Sequence, residues 1–372
     1  KDIWNGEDAI LSGASYEDEN TCLAFNFGIM QAGASVSFTF YYSLSLTSLE
    51  EIANPSSSFI GMWNGFLGLN NILSLRNTSA EEQQVDITLK NIFGELQSTR
   101  NVRLPAKSQR DYIINDLQGF AVNQVGVIEI APENVNTIQG DIAYYKNSSK
   151  NDKDFDFSFS NSLEAGKTGA SYLFANTFQP SSNPEFNNNI VLNWLQLANL
   201  SEERMSFLVK VYSATGEELS SNTLSLAGGR RIDRAIDFDS RGLGLVVIDP
   251  VDNSAKYSAS LYKYGINSAD EYVDSFNFAH GTNSHTEKTE KYTHIISSAR
   301  DANSWLIIAN VDESESIIDI TLKNLTGDVL NTRSLRIEAK GQRHISFADL
   351  LENNESILAE VSARNNTPIV SE

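Results

Sequence analysis

An internal duplication is the strongest constraint on how this chain folds. Residues 85–117 align with residues 318–350 at a constant offset of 233 without a gap, and 16 of the 33 positions are identical. The longest shared run is Asp-Ile-Thr-Leu-Lys-Asn, which stands at 86–91 and again at 319–324. Because this level of identity is far above chance, the chain contains at least two copies of one structural unit.

A third, more diverged copy lies between these two. In each copy an asparagine is followed 17 positions later by a glycine: Asn77 and Gly94, Asn199 and Gly216, Asn310 and Gly327. The asparagines are 122 and 111 positions apart, close to the roughly 100 residues of an immunoglobulin-type sandwich. The sequence therefore predicts three tandem domains at 50–148, 149–265 and 266–372, preceded by a strand-rich segment at 1–49.

Apolar residues alternate with polar ones inside each copy, a pattern typical of half-buried β-strands. Val85, Ile87 and Leu89 are the clearest example in the first copy. A short loop that ends in the repeat glycine follows this strand, as expected of a tight turn, because glycine adopts positive φ without steric cost. We expect an all-β protein built of tandem antiparallel immunoglobulin-like β-sandwiches in a rod-like array.

The two ends of the chain do not match this repeat. The strand at 141–145 has no evident counterpart in the third copy, so we expect the domain at 266–372 to lack its last strand. The pattern at 24–42 predicts a hairpin that cannot close a sandwich alone. Either the chain is a piece of a longer protein or has lost its end, or a spare strand of one molecule completes the incomplete domain of the next by pairing at an exposed sheet edge.

The charge of the chain excludes several classes of partner. Lys and Arg total 28 and Asp and Glu total 48, which gives a formal net charge of −20. A chain this acidic is repelled by nucleic acid and by anionic membrane surfaces. No segment reaches the roughly 18 apolar residues of a membrane span, so membrane insertion is not expected. The single cysteine, Cys22, excludes a disulfide framework and a cysteine-based zinc site.

Two acidic segments are candidates for calcium, and no other cofactor is expected. Their carboxylates recur at every second position, as in some calcium loops: Asp152, Asp154, Asp156, Asp237 and Asp239. The first segment has an alternative interpretation, since phenylalanines at 155, 157 and 159 alternate with its acids. A strand with one apolar face and one face in water would explain this pattern without a metal.

Trp194 and Trp305 are candidates for ligand binding. Each stands five residues before a repeat asparagine, on the face opposite the main apolar row of its strand. Exposed tryptophans in this place could stack on sugar rings. The alternative is that they pack beneath a linker or loop between domains.

Three histidines, His280, His285 and His294, lie within 15 positions. Three imidazoles could hold zinc, but the spacings of 5 and 9 match no familiar zinc pattern and the stretch is polar. We therefore interpret them as unrelated, solvent-exposed side chains. Catalysis has no support either, because the sequence has no Gly-x-Ser-x-Gly elbow and no phosphate-binding loop; no catalytic residue is assigned and an enzyme is not expected.

The repeats also carry a family likeness. The run Phe25-Asn26-Phe27-Gly28, continued at 32–40, looks like the closing hairpin of bacterial secreted β-sandwich modules, and the segments 174–180 and 193–200 are similar to parts of such repeats. The copies resemble the tandem immunoglobulin-like or fibronectin-like modules of bacterial secreted or cell-surface proteins. This resemblance implies an extracellular or cell-surface location and a role as spacer, adhesive or assembly part. It carries over no functional residue.

We therefore expect a non-catalytic extracellular structural or assembly protein, such as a surface-layer, fibre or adhesin-stalk module. Its expected partners are other copies of itself or neighbouring surface proteins. One alternative is a carbohydrate- or protein-binding adhesin, in which the tryptophans meet glycans. The second alternative is the accessory C-terminal region of a secreted hydrolase.

Overall fold

A computed structural model describes residues 58–147, 155–177, 189–236, 242–267, 276–297, 304–347 and 356–372 of the 372-residue chain. All of them belong to one compact unit, Ser56–Glu372. Strands make up 66% of the structure, and no α-helix occurs in the described ranges, which hold only short turns of 3₁₀-helix. The predicted all-β class is confirmed.

The first eight strands of the described residues form two antiparallel four-stranded sheets, which together we call module 1. Their order is β1-β6-β3-β4 in one sheet and β5-β2-β7-β8 in the other. The strands are β1 (Phe59–Asn64), β2 (Leu69–Asn77), β3 (Gln83–Asn91), β4 (Leu96–Leu104), β5 (Gln109–Ile113), β6 (Val125–Pro132), β7 (Ile138–Asn147) and β8 (Phe155–Ser162).

The next eight strands repeat this arrangement as module 2. Their sheets are β12-β11-β14-β9 and β13-β10-β15-β16. The strands are β9 (Ser171–Asn176), β10 (Asn189–Asn199), β11 (Met205–Ser213), β12 (Glu218–Leu226), β13 (Arg231–Ile236), β14 (Leu243–Pro250), β15 (Tyr257–Asn267) and β16 (Phe276–Asn283).

The remaining strands form module 3, with sheets β17-β22-β19-β20 and β21-β18-β23. The strands are β17 (Lys291–Ser297), β18 (Trp305–Asn310), β19 (Ser316–Lys323), β20 (Val329–Ile337), β21 (Gln342–Ser346), β22 (Ser356–Ala363) and β23 (Ile369–Ser371).

The two sheets of each module share one apolar core. In module 1 this core takes Leu73 and Leu75 from β2 in one sheet and Val85 and Ile87 from β3 in the other, all fully buried. These residues are the alternating apolar positions of the sequence, and the residues between them are more exposed. The predicted half-buried strands are therefore present, because period-2 alternation places one face of each strand against the opposite sheet.

Module 3 contains a short seventh strand, β23. β23 pairs with β18 from Ile308–Ser371 to Asn310–Ile369, at the place where β7 pairs with β2 in module 1. These three residues correspond to 138–140 at the start of β7, whereas the predicted absence concerned the positions equivalent to 141–145, so it stays a prediction.

Two strands pair across the predicted domain boundaries. β8 lies within the segment 149–265 predicted as the second domain, yet it pairs with β7 of module 1. β16 lies within 266–372 and pairs with β15 of module 2. Each eighth strand thus extends a sheet of the preceding module before the chain enters the next one.

The repeat asparagine fastens the turn between the fourth and fifth strands of its module. Its side-chain nitrogen lies within 2.7–3.2 Å of the same three carbonyl positions in every module: Glu81, Leu104 and Pro105 for Asn77; Glu203, Leu226 and Ala227 for Asn199; Ser314, Ile337 and Glu338 for Asn310. All three asparagines are buried. Because a buried amide needs partners, this position explains the recurring residue.

Candidate functional site at the module junctions

Successive modules touch through two turns. We call the turn between the third and fourth strands the leading turn (91–94, 213–216 and 324–327) and the turn between the fourth and fifth strands the receiving turn (105–109, 227–231 and 338–342). At junction 1, between modules 1 and 2, the backbone N–H of Arg231 donates to the carbonyl of Ile92 at 2.9 Å. At junction 2, between modules 2 and 3, Gln342 donates in the same way to Ala214 at 2.9 Å.

These two contacts are the same contact used twice. Ile92 and Ala214 are 122 positions apart, and Arg231 and Gln342 are 111 positions apart. Those are the two offsets between the repeat asparagines. Equivalent residues therefore join module 1 to module 2 and module 2 to module 3.

Glycine at the end of the leading turn allows this close approach. Gly94 and Gly216 have φ of +85° and +82°, the left-handed region in which only glycine is free of strain. A Cβ on Gly94 would lie 2.6 Å from the carbonyl of Gly229 in the receiving turn, and a Cβ on Gly216 would overlap the carbonyl oxygen of Ala339. The glycine is therefore needed both for the turn and for the junction.

The linkers between modules repeat their contacts as well. At junction 1 the linker forms bridges at Ile60–Glu164 and Lys167–Tyr257, and at junction 2 the corresponding bridges are Tyr172–His285 and Thr289–Ile369. In each case one bridge holds the linker to the first strand of the preceding module, β1 or β9, and the other holds it to the seventh strand of the following module, β15 or β23. The linkers are thus hydrogen-bonded into the modules.

A fully buried arginine completes junction 1. The guanidinium of Arg231 pairs with both carboxylate oxygens of Asp233, at 2.6 and 2.8 Å. Its Nη1 also donates across the junction to the carbonyls of Trp63 and Gly126, at 2.9 and 2.5 Å. The sequence offered no signal for this role, since the arginine follows a Gly-Gly pair that is explained by the turn alone.

An aromatic cluster also lies at junction 1. Tyr144 of β7 and Phe159 of β8 pack on Tyr262 of β15, with ring centroids 5.4 and 5.1 Å apart. The hydroxyls of Tyr144 and Tyr262 are hydrogen-bonded at 2.5 Å, and Tyr144 also donates to the carbonyl of Met62. Burial raises the pKa of both tyrosines, so both stay neutral across the physiological range.

At junction 2 ionisable residues take the equivalent places. Tyr144 pairs with Asn71 in module 1, and Lys263 pairs with the equivalent Asn193 in module 2, so Lys263 takes the place of Tyr144. Phe159 and His280 are the next partners across the sheet, so His280 takes the place of Phe159. Lys263 is buried. His280 and His285 each direct Nε2 towards the side-chain carboxylate of Glu372, at 3.9 and 3.7 Å.

All four histidines of the chain gather at this junction. His294 is hydrogen-bonded to the hydroxyl of Ser371 at 2.9 Å, and His344 to the side chain of Gln342 at 2.7 Å. The interpretation of His280, His285 and His294 as unrelated side chains was therefore wrong, although His280 is 49% exposed. Sequence spacing could not reveal the cluster, because its partners Glu372 and His344 come from strands far along the chain.

Burial and neighbouring charges shift the pKa values of three groups in this cluster. Burial lowers the pKa of Lys263, with Glu372 opposing the shift. Burial and the charge of Lys263 lower the pKa of His344 to about 4. Burial alone would raise the pKa of Glu372, but His280, His285 and Lys263 together hold it well below its usual value. At neutral pH the carboxylate is charged and His344 is neutral.

We expect junction 2 to weaken in mild acid. His344 takes up a proton near about pH 6.5 in the unfolded chain, whereas its folded pKa is about 4. Since the folded pKa is the lower one, the stabilisation is complete above about pH 6.5 and is lost as the pH falls towards about 4. The shift corresponds to a loss of at most about 3 kcal/mol in the free energy of unfolding.

Urea denaturation at a series of pH values between about 7.5 and about 4 measures this loss. The variant His344→Gln should show a shallower pH dependence than the natural chain. His280→Gln is the matched control, since it replaces an exposed histidine of the same cluster and should keep most of the slope. Equal slopes for the natural chain and His344→Gln would contradict this account.

The two tryptophans predicted as binding residues lie in different modules. Trp194 on β10 and Trp305 on β18 are each 38% exposed, on the faces opposite the buried Leu195 and Leu306. Asp152, Asp154, Asp237 and Asp239 lie outside the described residues, and of Asp156 only the backbone in β8 is described. Among the described residues, no group of three His, Cys, Asp or Glu side chains is arranged to hold a metal ion.

Comparisons with known proteins leave the chain without relatives that define a role. No protein-family model matches it, and no curated protein matches it. Among solved structures, the crystal structure of tripeptidyl peptidase 2 aligns with a TM-score of 0.18 and 10% identity, over 80% of this chain and 30% of that one. A likeness this low supports no inference about fold or activity. In the part of the chain that the structure describes, no helix is long and apolar enough to cross a membrane.

Proposed function

We propose that this chain is a non-catalytic extracellular structural protein. Its three modules would form a rod-like array that serves as part of a surface layer, a fibre or an adhesin stalk. The observation that carries the proposal is the repeated junction, in which equivalent backbone groups join each module to the next. Repeat proteins whose units contact only their neighbours in a fixed way form extended arrays.

The strand pairing supports modules of immunoglobulin-like type. In module 1, β2 pairs with β5 in one sheet and β3 with β6 in the other, as strands B and E and strands C and F share sheets in that fold. The outer strands differ, because β1 lies beside β6 and β7 beside β2. The first and seventh strands of each module have thus exchanged sheets relative to the immunoglobulin arrangement.

The charge and the hydrogen-bonded junctions fit a structural role outside the cell. A net charge of −20 keeps an exposed array soluble. Antibodies against residues 58–372 should label intact, unpermeabilised cells of the source organism in immunogold microscopy. Labelling that requires permeabilisation would contradict an extracellular role.

A second candidate function, glycan binding, is favoured by the exposed tryptophans. Trp194 and Trp305 occupy equivalent positions of modules 2 and 3, and each is 38% exposed. If they stack on sugars, Trp194→Ala and Trp305→Ala should each remove about 1 kcal/mol or more of binding energy on a glycan array. Leu219→Ala, which removes another exposed apolar side chain, is the control. Equal binding by all variants would exclude this function for the tryptophans.

A further inference from the structure

In the part of the chain that the structure describes, one leading turn and one receiving turn have no partner module. The leading turns of modules 1 and 2 are engaged, whereas that of module 3, residues 324–327, meets no module in the described chain. There Leu325, the counterpart of Ile92 and Ala214, is 64% exposed. The receiving turn of module 1, residues 105–109, is likewise open: Gln109 is exposed, while its counterparts Arg231 and Gln342 are buried.

Both open turns already have the conformation of the engaged ones. Gly327 has φ of +95°, against +82° for Gly216 in the engaged leading turn of module 2. Lys107 has φ of +52°, against +55° for Lys340 in the engaged receiving turn of module 3. A Cβ on Gly327 would meet nothing within 4 Å. The surface that a receiving turn covers elsewhere is therefore free at module 3.

The open receiving turn also has the residues that make the contact at junction 2. There Gln342 donates its backbone N–H, and Arg343 its Nη1 at 2.8 Å, to the carbonyl of Ala214. Module 1 carries the same pair, Gln109 and Arg110, at the equivalent positions, and both are exposed. The preceding Ala-Lys pair is also shared, at 106–107 and 339–340.

We propose that copies of this chain associate head to tail through the module junction, with the leading turn of module 3 in one copy bound to the receiving turn of module 1 in the next. In this contact the carbonyl of Leu325 accepts hydrogen bonds from the backbone of Gln109 and the guanidinium of Arg110. Asp328 adds an exposed acid beside the leading turn, opposite the basic Lys107 and Arg110. Because the two surfaces differ, the contact is heterologous and grows into a linear assembly.

This inference names the partner of the proposed structural protein, which is a second copy of the same chain. It rests on the proposed function in one respect, namely that the module junctions serve as assembly contacts. A contact of two turns is small, so we expect a dissociation constant of about 1 µM to 1 mM. The net charge of −20 opposes association, and raising the salt from about 0.15 M to about 0.5 M should strengthen it. Residues 1–55 or another protein on either open turn would instead leave the chain monomeric.

Sedimentation velocity at protein concentrations that span the expected dissociation constant, about 1 µM to 1 mM, tests the proposal. The mass of the natural chain should rise with concentration, and either Arg110→Glu or Leu325→Glu should keep it at that of the monomer. An equimolar mixture of the two variants should form dimers and nothing larger, because each partner then supplies one intact surface. Ile113→Glu, an exposed apolar position outside both turns, is the control and should still associate.

Two results would overturn the proposal. One is a natural chain that stays monomeric throughout, and the other is association that the two variants do not change. Circular dichroism on each variant checks that these exposed substitutions leave the fold intact. Neither result would bear on how the three modules of one chain are joined. That arrangement is tested separately, by measuring the distances between the modules.

Discussion

Replacing Gly216 with alanine should detach module 3 from module 2, whereas the same change at Gly327 should leave the modules joined. Both glycines end a leading turn with positive φ, so alanine strains both turns by about 1–2 kcal/mol. Only at Gly216 does the new Cβ overlap a neighbouring module, at the carbonyl oxygen of Ala339. Neither the Cβ of residue 216 nor the carbonyl oxygen of Ala339 can move without its backbone. The two modules must therefore separate at this junction.

Differential scanning calorimetry distinguishes the two variants. Gly327→Ala should lower the melting temperature by no more than about 2–4 °C, as expected for about 1 kcal/mol in a cooperative unit larger than 150 residues. Gly216→Ala should lower the free energy of unfolding by about 2 kcal/mol more than Gly327→Ala does. It should also split the thermal transition into two, with module 3 unfolding first. Limited proteolysis should then cut the linker around His285, which is bridged to Tyr172 in the intact junction. Equal effects of the two substitutions would show that the leading turn does not hold the modules together.

Replacing Arg231 with methionine should have the second largest effect. The side chain is fully buried, and its removal leaves two backbone carbonyls, those of Trp63 and Gly126, without the donor that joins the modules. It also leaves Asp233 unpaired, although that carboxylate is 22% exposed and can be hydrated. Breaking a buried pair from one side costs about 3–5 kcal/mol, and the partial exposure of Asp233 favours the lower end.

Urea denaturation followed by circular dichroism measures this cost. Arg234→Met is the matched control, since it removes an exposed arginine from the same strand and should change stability by less than about 0.5 kcal/mol. The double variant with Asp233→Asn should recover part of the loss, because it no longer leaves an unpaired charge. A loss at Arg231 no larger than that of the control would mean that the arginine does not support junction 1.

The sequence was sufficient for the local features of the fold and insufficient for the contacts between distant parts. The alternation at Val85, Ile87 and Leu89 predicted a buried strand face because side-chain period is a local property. The recurring Asn77, Asn199 and Asn310 indicated a repeat, although their bonds to the receiving turn had no sequence signal. β23 has no sequence signal of its own, because three residues are too few to show a period.

The candidate site lies in contacts that join residues far apart in the chain. Arg231 reaches a carbonyl 168 positions away, at Trp63, and such a contact leaves no pattern in a single sequence. The histidines were visible, but the buried Lys263 and the carboxylate of Glu372 that make them a cluster were not. The open turns could be recognised only after the engaged ones were known, by comparing burial at equivalent positions.

Distances between spin labels on successive modules test the central claim most directly. Thr99, Ser221 and Thr332 are exposed and occupy equivalent positions of the three modules, and Cys22→Ser removes the native thiol. Labelled cysteines at 99 and 221, and in a second variant at 221 and 332, are measured by double electron–electron resonance at high dilution. If the same junction is used twice, both pairs give narrow distributions with similar mean distances. Broad distributions, or two clearly different means, would contradict the account.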